Sequence, residues 1–206
     1  MKIITSVSVC VKNKTRSNIF LDGVFYCSMD NMIVIKHGLK EGVQITEEEL
    51  ESLQKENEFS TAFDKALNYV ARYKKTRKQV IDYLVKKGYL YALAVEVVKK
   101  LQSYGFVDDR DYATSFVNEK SKNNGKMLIK MQLRAKGVDE KTAENAVGEI
   151  EDETPNAIAV AKKYMRSKEN NRDNLLKCYR YLLSKGFSFE SAKSAIDCLK
   201  GGEDDY

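Results

Sequence analysis

Histidine is almost missing from this chain, and what it would build is missing with it. His37 is the only one in 206 residues. A Ser-His-Asp set has no second candidate, and neither paired-histidine nor mixed Cys/His metal spacing occurs. His37 itself lies beside the Lys40-Glu41-Gly42 turn with no acid or nucleophile patterned around it. The four cysteines (Cys10, Cys27, Cys178, Cys198) are scattered without a C-x-x-C pair, so they are expected as reduced, mostly buried thiols. No Walker-type glycine-rich phosphate loop is present. No apolar run approaches the ~18 residues of a membrane span. The apolar positions of Met1 to Val11 alternate with Thr5, Ser6 and Ser8 instead of forming a leader, and a cytoplasmic protein is expected. Proline occurs once, at Pro155, and no long linker separates the segments described below. Catalysis, a metal and a cofactor are therefore not expected.

What the chain does have is a phrase written three times. Leu84-Val85-Lys86-Lys87-Gly88-Tyr89 recurs as Leu133-Arg134-Ala135-Lys136-Gly137-Val138 and as Leu182-Leu183-Ser184-Lys185-Gly186-Phe187. The glycines are spaced by 49 residues, twice. Aligned on them, Val80, Ile129 and Cys178 coincide upstream, and Ala94, Ala143 and Ala192 downstream. A fixed period of this length marks a repeated supersecondary unit stacked on its neighbours.

The phrase is a helix stop. Glycine at C′ adopts the left-handed conformation that ends a helix, and the C″ residue then touches C3. That pairs Tyr89 with Leu84, Val138 with Leu133, and Phe187 with Leu182. The lysine before each glycine sits where the helix dipole favours a cation. Gly88, Gly137 and Gly186 are thus structural residues.

Taken in order, residues 2–12 alternate as a strand. Asn18–Leu21 and Val24–Ser28 flank Asp22-Gly23, a hairpin signal, which gives a three-stranded antiparallel sheet. Asp30 or Asn31 caps a short helix ending at Gly38, and the capping box Thr46-x-x-Glu49 opens a helix over 47–59. From residue 61 the pattern predicts nine helices in three triplets: 62–73, 77–87 and 91–104; 109–122, 126–136 and 140–151; 155–167, 173–185 and 189–199. Thr76-x-x-Gln79 is a second box, and Asp108, Asp139 and Ser188 are caps. Thr154 is read as an N-cap with Pro155 at N1. Asp108-Asp109 is read as a cap followed by a first-turn dipole partner rather than as a metal pair. The fold class is mainly α. A small α+β module (1–60) precedes repeats at 61–106, 107–152 and 153–200, and 201–206 forms a frayed tail.

Charge is uneven. Residues 1–60 carry 7 Lys/Arg and 9 Asp/Glu, whereas 61–105 carry 10 and 3, and 162–186 carry 8 and 2. Residues 139–153 reverse this, with 7 acids and one lysine. A basic helical body suits a polyanionic partner. Candidates on the first and second helices of each unit are Arg72, Lys74, Lys75, Arg77 and Lys78; Lys120, Lys122, Lys126, Lys130 and Arg134; and Lys162, Lys163, Arg166, Lys168, Arg172, Lys177 and Arg180. Stacking three units would bring these cations to one face able to follow a phosphate backbone. Tyr73, Tyr164, Tyr179 and Tyr181 are interleaved, at helical spacing that suits core packing better than base stacking.

Leu101-x-x-x-Gly105-Phe106-Val107-Asp108-Asp109-x-x-Tyr112-Ala113 resembles the Gly-hydrophobic-hydrophobic-Asp-Asp signature of the RecX family, regulators of the RecA recombinase. Ala71-Arg72-x-x-x-Thr76-x-x-Gln79-Val80 and Leu133-x-x-Lys136-Gly137-Val138 fit neighbouring blocks, and residues 1–60 look like an extension found in some members. One departure is Leu90, which stands where Asp139 and Ser188 cap the later units. The resemblance implies tandem three-helix repeats in an elongated, curved body. It implies a monomer that binds the RecA filament on single-stranded DNA and lowers its ATPase and strand exchange, with single-stranded or duplex DNA as a weak direct ligand. The residues alone leave two other readings open: a stand-alone DNA-binding module of helix-turn-helix-like triplets, and a helical scaffold for proteins.

Overall fold

The computed structural model describes residues 1–201. Strands β1 (Lys2–Val9), β2 (Arg16–Leu21), β3 (Val24–Asp30) and β4 (Gln44–Ile45) form one antiparallel sheet in the order β3-β2-β1-β4. The hairpin turns where the sequence places it: Asp22 and Gly23 both have positive φ (49° and 82°), as a two-residue type I′ turn requires. The fourth strand is not legible in the sequence, because two residues are too few to alternate. Pairing of Ile45 with Lys2 and of Gln44 with Ile3 defines it. Helix α1 (Asn31–Lys36) is capped by Asp30, whose carboxylate accepts from Met32 N. Ile4, Ile19, Leu21, Met29, Ile33, Leu50 and Leu53 form the core of this module.

Helix α2 corrects the sequence reading. It opens with the Thr46–Glu49 capping box and then runs unbroken from Glu47 to Val70, where two helices (47–59 and 62–73) were expected. The Thr61 hydroxyl, at the expected break, donates back to Asn57 O at 2.8 Å. A hydroxyl satisfied inside the helix gives no reason for a break. Thr61 Oγ1 and Asn57 Oδ1 also accept from the Arg16 guanidinium (3.0 and 3.1 Å), which ties α2 to the sheet.

The remaining helices are α3 (Arg77–Lys86), α4 (Tyr91–Ser103), α5 (Asp109–Lys120), α6 (Lys126–Ala135), α7 (Glu140–Gly148), α8 (Thr154–Met165), α9 (Arg172–Ser184) and α10 (Phe189–Gly201). With the second half of α2 they make three triplets. All three stops form as expected. Tyr89, Val138 and Phe187 donate their N–H to Leu84, Leu133 and Leu182 O (3.2, 3.1 and 3.2 Å), and the glycines have φ near +90°. The three leucines are fully buried. A fourth stop follows α4, with Gly105 at φ +75° and Phe106 N donating to Leu101 O. The first triplet buries Ala66, Val70, Leu84, Ala94, Val97, Val98 and Leu101. The second has its own core around Phe116, Ile129, Leu133 and Ala143, and the third around Ala161, Cys178, Leu182 and Phe187.

One expected cap changes and one new cap is found. Thr154 does not cap α8: its hydroxyl meets Ser191 Oγ at 3.1 Å, and the buried Glu153 takes the N-cap position. Asn171, not singled out by the sequence, caps α9 through Asn174 N. Cys178 is buried, Cys10 and Cys27 are half-buried and Cys198 is exposed; all four are free thiols. Of the tail expected to fray, Gly201 closes α10 and 202–206 lie outside the described residues. The described residues divide into two compact units, Met1–Arg72 with Ile81–Phe106, and Tyr73–Val80 with those from Val107 to Gly201.

Candidate nucleic-acid interface

Within the second unit, the basic starts of successive middle helices are positioned by a joint that occurs twice. The Thr76 hydroxyl, at the start of α3, donates to Lys136 O at the stop of α6 (2.7 Å). Forty-nine residues on, Gly125 N at the start of α6 donates to Lys185 O at the stop of α9 (2.9 Å), and Met127 N to Gly186 O (3.2 Å). A carboxylate completes each joint. Asp109 accepts from Arg77 N at 2.7 Å, and Glu153 accepts from Lys126 N at 2.8 Å and Ser188 N at 2.7 Å. Asp109 is therefore more than the dipole partner of its own helix: it satisfies the first free N–H of α3. Asp108 caps α5 as expected, accepting from Arg110 N and Asp111 N. Burial raises the Asp109 carboxyl above its ordinary value, with Asp108 and Asp139 adding to the rise and the hydrogen bond and charge of Arg77 opposing it.

The joint also explains which glycines are irreplaceable. A Cβ on Gly137 would stand 2.4 Å from Lys78 Cβ, one on Gly186 would meet Leu128 N at 2.4 Å, and one on Gly125 would meet Gly186 O at 2.2 Å. A Cβ on Gly88 meets nothing within 4 Å.

Around these joints the candidate cations separate into two groups. Lys74 pairs with Asp111 (2.6 Å), Lys120 with Glu119 (2.7 Å), Lys130 with both Glu140 and Glu144 (2.8 and 2.6 Å), and Arg134 with Glu140 (2.7 Å). Donating hydrogen bonds to Glu140 and Glu144 pushes the Lys130 ammonium up, and accepting the bond from Lys130 pulls Glu140 down. The acidic stretch 139–153 thus neutralises much of α6. Arg72, Arg77, Lys78, Lys122, Lys162, Lys163, Arg166, Arg172, Lys177 and Arg180 are exposed and form no ion pair among the described residues. Lys126 and Lys75 are half-buried. Lys168 is spent locally, 3.7 Å over the Tyr164 ring and 2.6 Å from Tyr164 O.

The lysine that precedes each stop has a second role. Lys87, Lys136 and Lys185 each lie over a ring, Tyr83, Phe116 and Tyr181, at 5.6, 5.5 and 5.4 Å. Each ring stacks in turn on another: Tyr83 on Tyr69, Phe116 on Tyr112, Tyr181 on Tyr164. Tyr164 and Tyr181 are thus committed to packing, Tyr179 is half-buried, and Tyr73 alone of the four interleaved tyrosines is exposed.

Sheet, helical triplets and stops match four family models in chain order. These are the regulatory protein RecX N-terminal domain over residues 2–46 and the first, second and third RecX three-helix domains over 62–101, 108–147 and 151–196. The chain belongs to the RecX family. It is 33% identical to a regulatory protein RecX of Clostridium botulinum, over 95% of each chain. It is 30% identical to that of Bacillus subtilis, over 100% of this chain and 80% of the other. Among solved structures, a crystal structure of regulatory protein RecX matches with a TM-score of 0.77 at 24% identity, covering 96% of this chain and 100% of that one. RecX from Lactobacillus salivarius matches at 0.63 and 29% identity, over 69% and 96%. The chain is a RecX-family regulatory protein with three three-helix domains, and no described helix is long and apolar enough to cross a membrane.

Glu153 is the positioning residue that sequence reasoning missed, and for Asp109 and Gly125 it missed the partner. Helix starts at Arg77 and Lys126 are 49 residues apart, but their carboxylates, at 109 and 153, are not. No periodic signal could have linked them.

Proposed function

We propose that this protein binds the RecA filament on single-stranded DNA and modulates ATP hydrolysis and strand exchange by RecA. The observation that carries the reading is the distribution of unneutralised cations. Arg77 and Lys78 open the first middle helix, and Arg72 precedes it in the chain. Lys162, Lys163, Arg166, Arg172, Lys177 and Arg180 cover the first two helices of the third repeat without forming ion pairs among the described residues. Such cations release counterions from a phosphate backbone and make binding steeply salt-dependent. Membership of the RecX family supports RecA as the protein component. Its basic surface supports the nucleic-acid component. Inhibition follows physically if the protein occupies the groove that a second DNA must enter.

The test is RecA ATP hydrolysis on single-stranded DNA with sub-stoichiometric protein added. A lowered rate with shortened or capped filaments is expected. An unchanged rate and filament length would reject the reading, and tight duplex binding without RecA would favour a stand-alone DNA-binding module.

A further inference from the structure

Phe59 and Phe63 lie one turn apart on α2, their rings 6.2 Å apart and 18° from parallel. Tyr104 meets Phe63 edge-on at 6.2 Å, and Phe106 meets Tyr104 edge-on at 6.3 Å. The result is a row of four rings in the first unit. Phe59 and Phe63 are half-buried, whereas Tyr104 is 56% and Phe106 52% exposed.

Phe106 is the C″ residue of the stop after α4, which closes a third helix and lies outside the 49-residue phrase that places Tyr89, Val138 and Phe187. Its ring stays 52% exposed, although a ring of this size has much apolar area to bury. Contiguous exposed rings of this kind mark a surface that something covers.

Charge identifies the covering. In the unit that holds the rings, residues 61–72 and 81–106 carry six Lys/Arg against three acids. Lys100 Nζ lies 4.8 Å from the Tyr104 centroid and forms no ion pair among the described residues. Rings interleaved with cations suit a strand whose bases have π-faces and whose backbone is anionic. A duplex keeps its bases stacked inside and offers them nothing to the rings. We propose that Phe59, Phe63, Tyr104 and Phe106, with Lys100, form a platform on which unpaired nucleic-acid bases stack. This deepens the filament reading by naming where the single strand itself is touched.

The experiment is fluorescence anisotropy with a labelled oligo(dT), and with a duplex of the same length, across a salt series. Tyr104→Leu and Phe106→Leu keep apolar bulk and remove the π-face, and Tyr104→Phe restores it. Each Leu variant is expected to lose roughly 5- to 150-fold in oligo(dT) affinity, the range for one base–ring stack, with an unchanged salt slope, unchanged duplex affinity and an unchanged melting curve. Tyr104→Phe should bind as the parent does. Lys100→Gln, at an exposed site that does not threaten folding, should flatten the slope by about 0.7. Parental oligo(dT) binding by both Leu variants would overturn the proposal, as would equal losses on single strand and duplex. The RecA ATPase assay, run in parallel, separates the two ideas. Leu variants that keep oligo(dT) binding but lose their effect on RecA would make the rings a protein contact and leave the filament reading standing. Loss of oligo(dT) binding by these variants, with RecA indifferent to the parent protein, would leave only the platform.

Discussion

The hydroxyl of Thr76 donates to the carbonyl of Lys136, sixty residues away, and so makes the stop of one repeat part of the start of another. Gly125 N reaches Lys185 O across the same sixty residues. A helix stop frees carbonyls and a helix start frees N–H groups, and each joint satisfies some of both. The joint also brings backbone against Gly125 and Gly186, and the Lys78 side chain against Gly137, too close for an added Cβ.

The first prediction follows from that contrast. Gly88→Val and Gly137→Val both place a β-branched residue at φ near +90°, at a cost of about 1–2 kcal/mol. Only the second also drives a Cβ into Lys78. Thermal melts should therefore show Gly137→Val as clearly the more damaging; equal shifts would mean that the α3–α6 joint does not hold in solution.

Glu153 accepts two backbone N–H bonds from a buried position, 6% exposed. Glu153→Ala should cost about 1.5–3 kcal/mol or more, since charge-assisted bonds are lost and two donors are orphaned. Glu153→Gln, which keeps one acceptor, should cost distinctly less. The urea midpoint measures both.

Stability should vary with pH through Asp109, and the sign is unusual for a carboxylate. Its folded value is raised, chiefly by burial, so the native state holds this proton more tightly than the unfolded chain. The site therefore favours folding below the folded-state value, and that contribution is lost as pH rises from the unfolded value through the folded one. Asp109→Asn, which keeps an acceptor for Arg77 N without the charge, should remove this component. Its stability relative to the parent should improve as pH rises toward neutrality. Asp109→Ala should be less stable than Asp109→Asn by about 1 kcal/mol at every pH, having lost the acceptor. Urea titrations between acid and neutral pH decide it.

Charge reversal should separate the two groups of cations. Reversing Arg72 and Arg77, which form no ion pair among the described residues, should weaken binding to the RecA–single-strand filament and flatten its salt slope by about 1.4, or 0.7 per lost phosphate contact. Reversing Lys130 and Arg134, already neutralised by Glu140 and Glu144, should change the slope far less. Equal effects from the two pairs would show that ion pairing does not sort the surface.

Much of this molecule is local and can be read from neighbouring residues. The stops at Gly88, Gly137 and Gly186, the boxes at Thr46 and Thr76, and the caps at Asp108, Asp139 and Ser188 each depend on torsions and hydrogen bonds spanning six residues or fewer. The 49-residue period, and with it the three triplets, needs nothing more. The unbroken α2 shows where such reading fails: the break expected at residues 60–61 is not there, and the Thr61 hydroxyl bonds Asn57 O inside the helix.

What the tertiary structure decided is which distant group each free valence meets. Asp109 turns to Arg77 N, Glu153 to two helix starts, and Lys130 to two acids on α7. Phe106 stays half exposed beside Tyr104. A stop or a cap is completed by its own segment, so sequence suffices for it. A carboxylate, a cation or a ring can be satisfied by any of several partners, and packing alone selects among them.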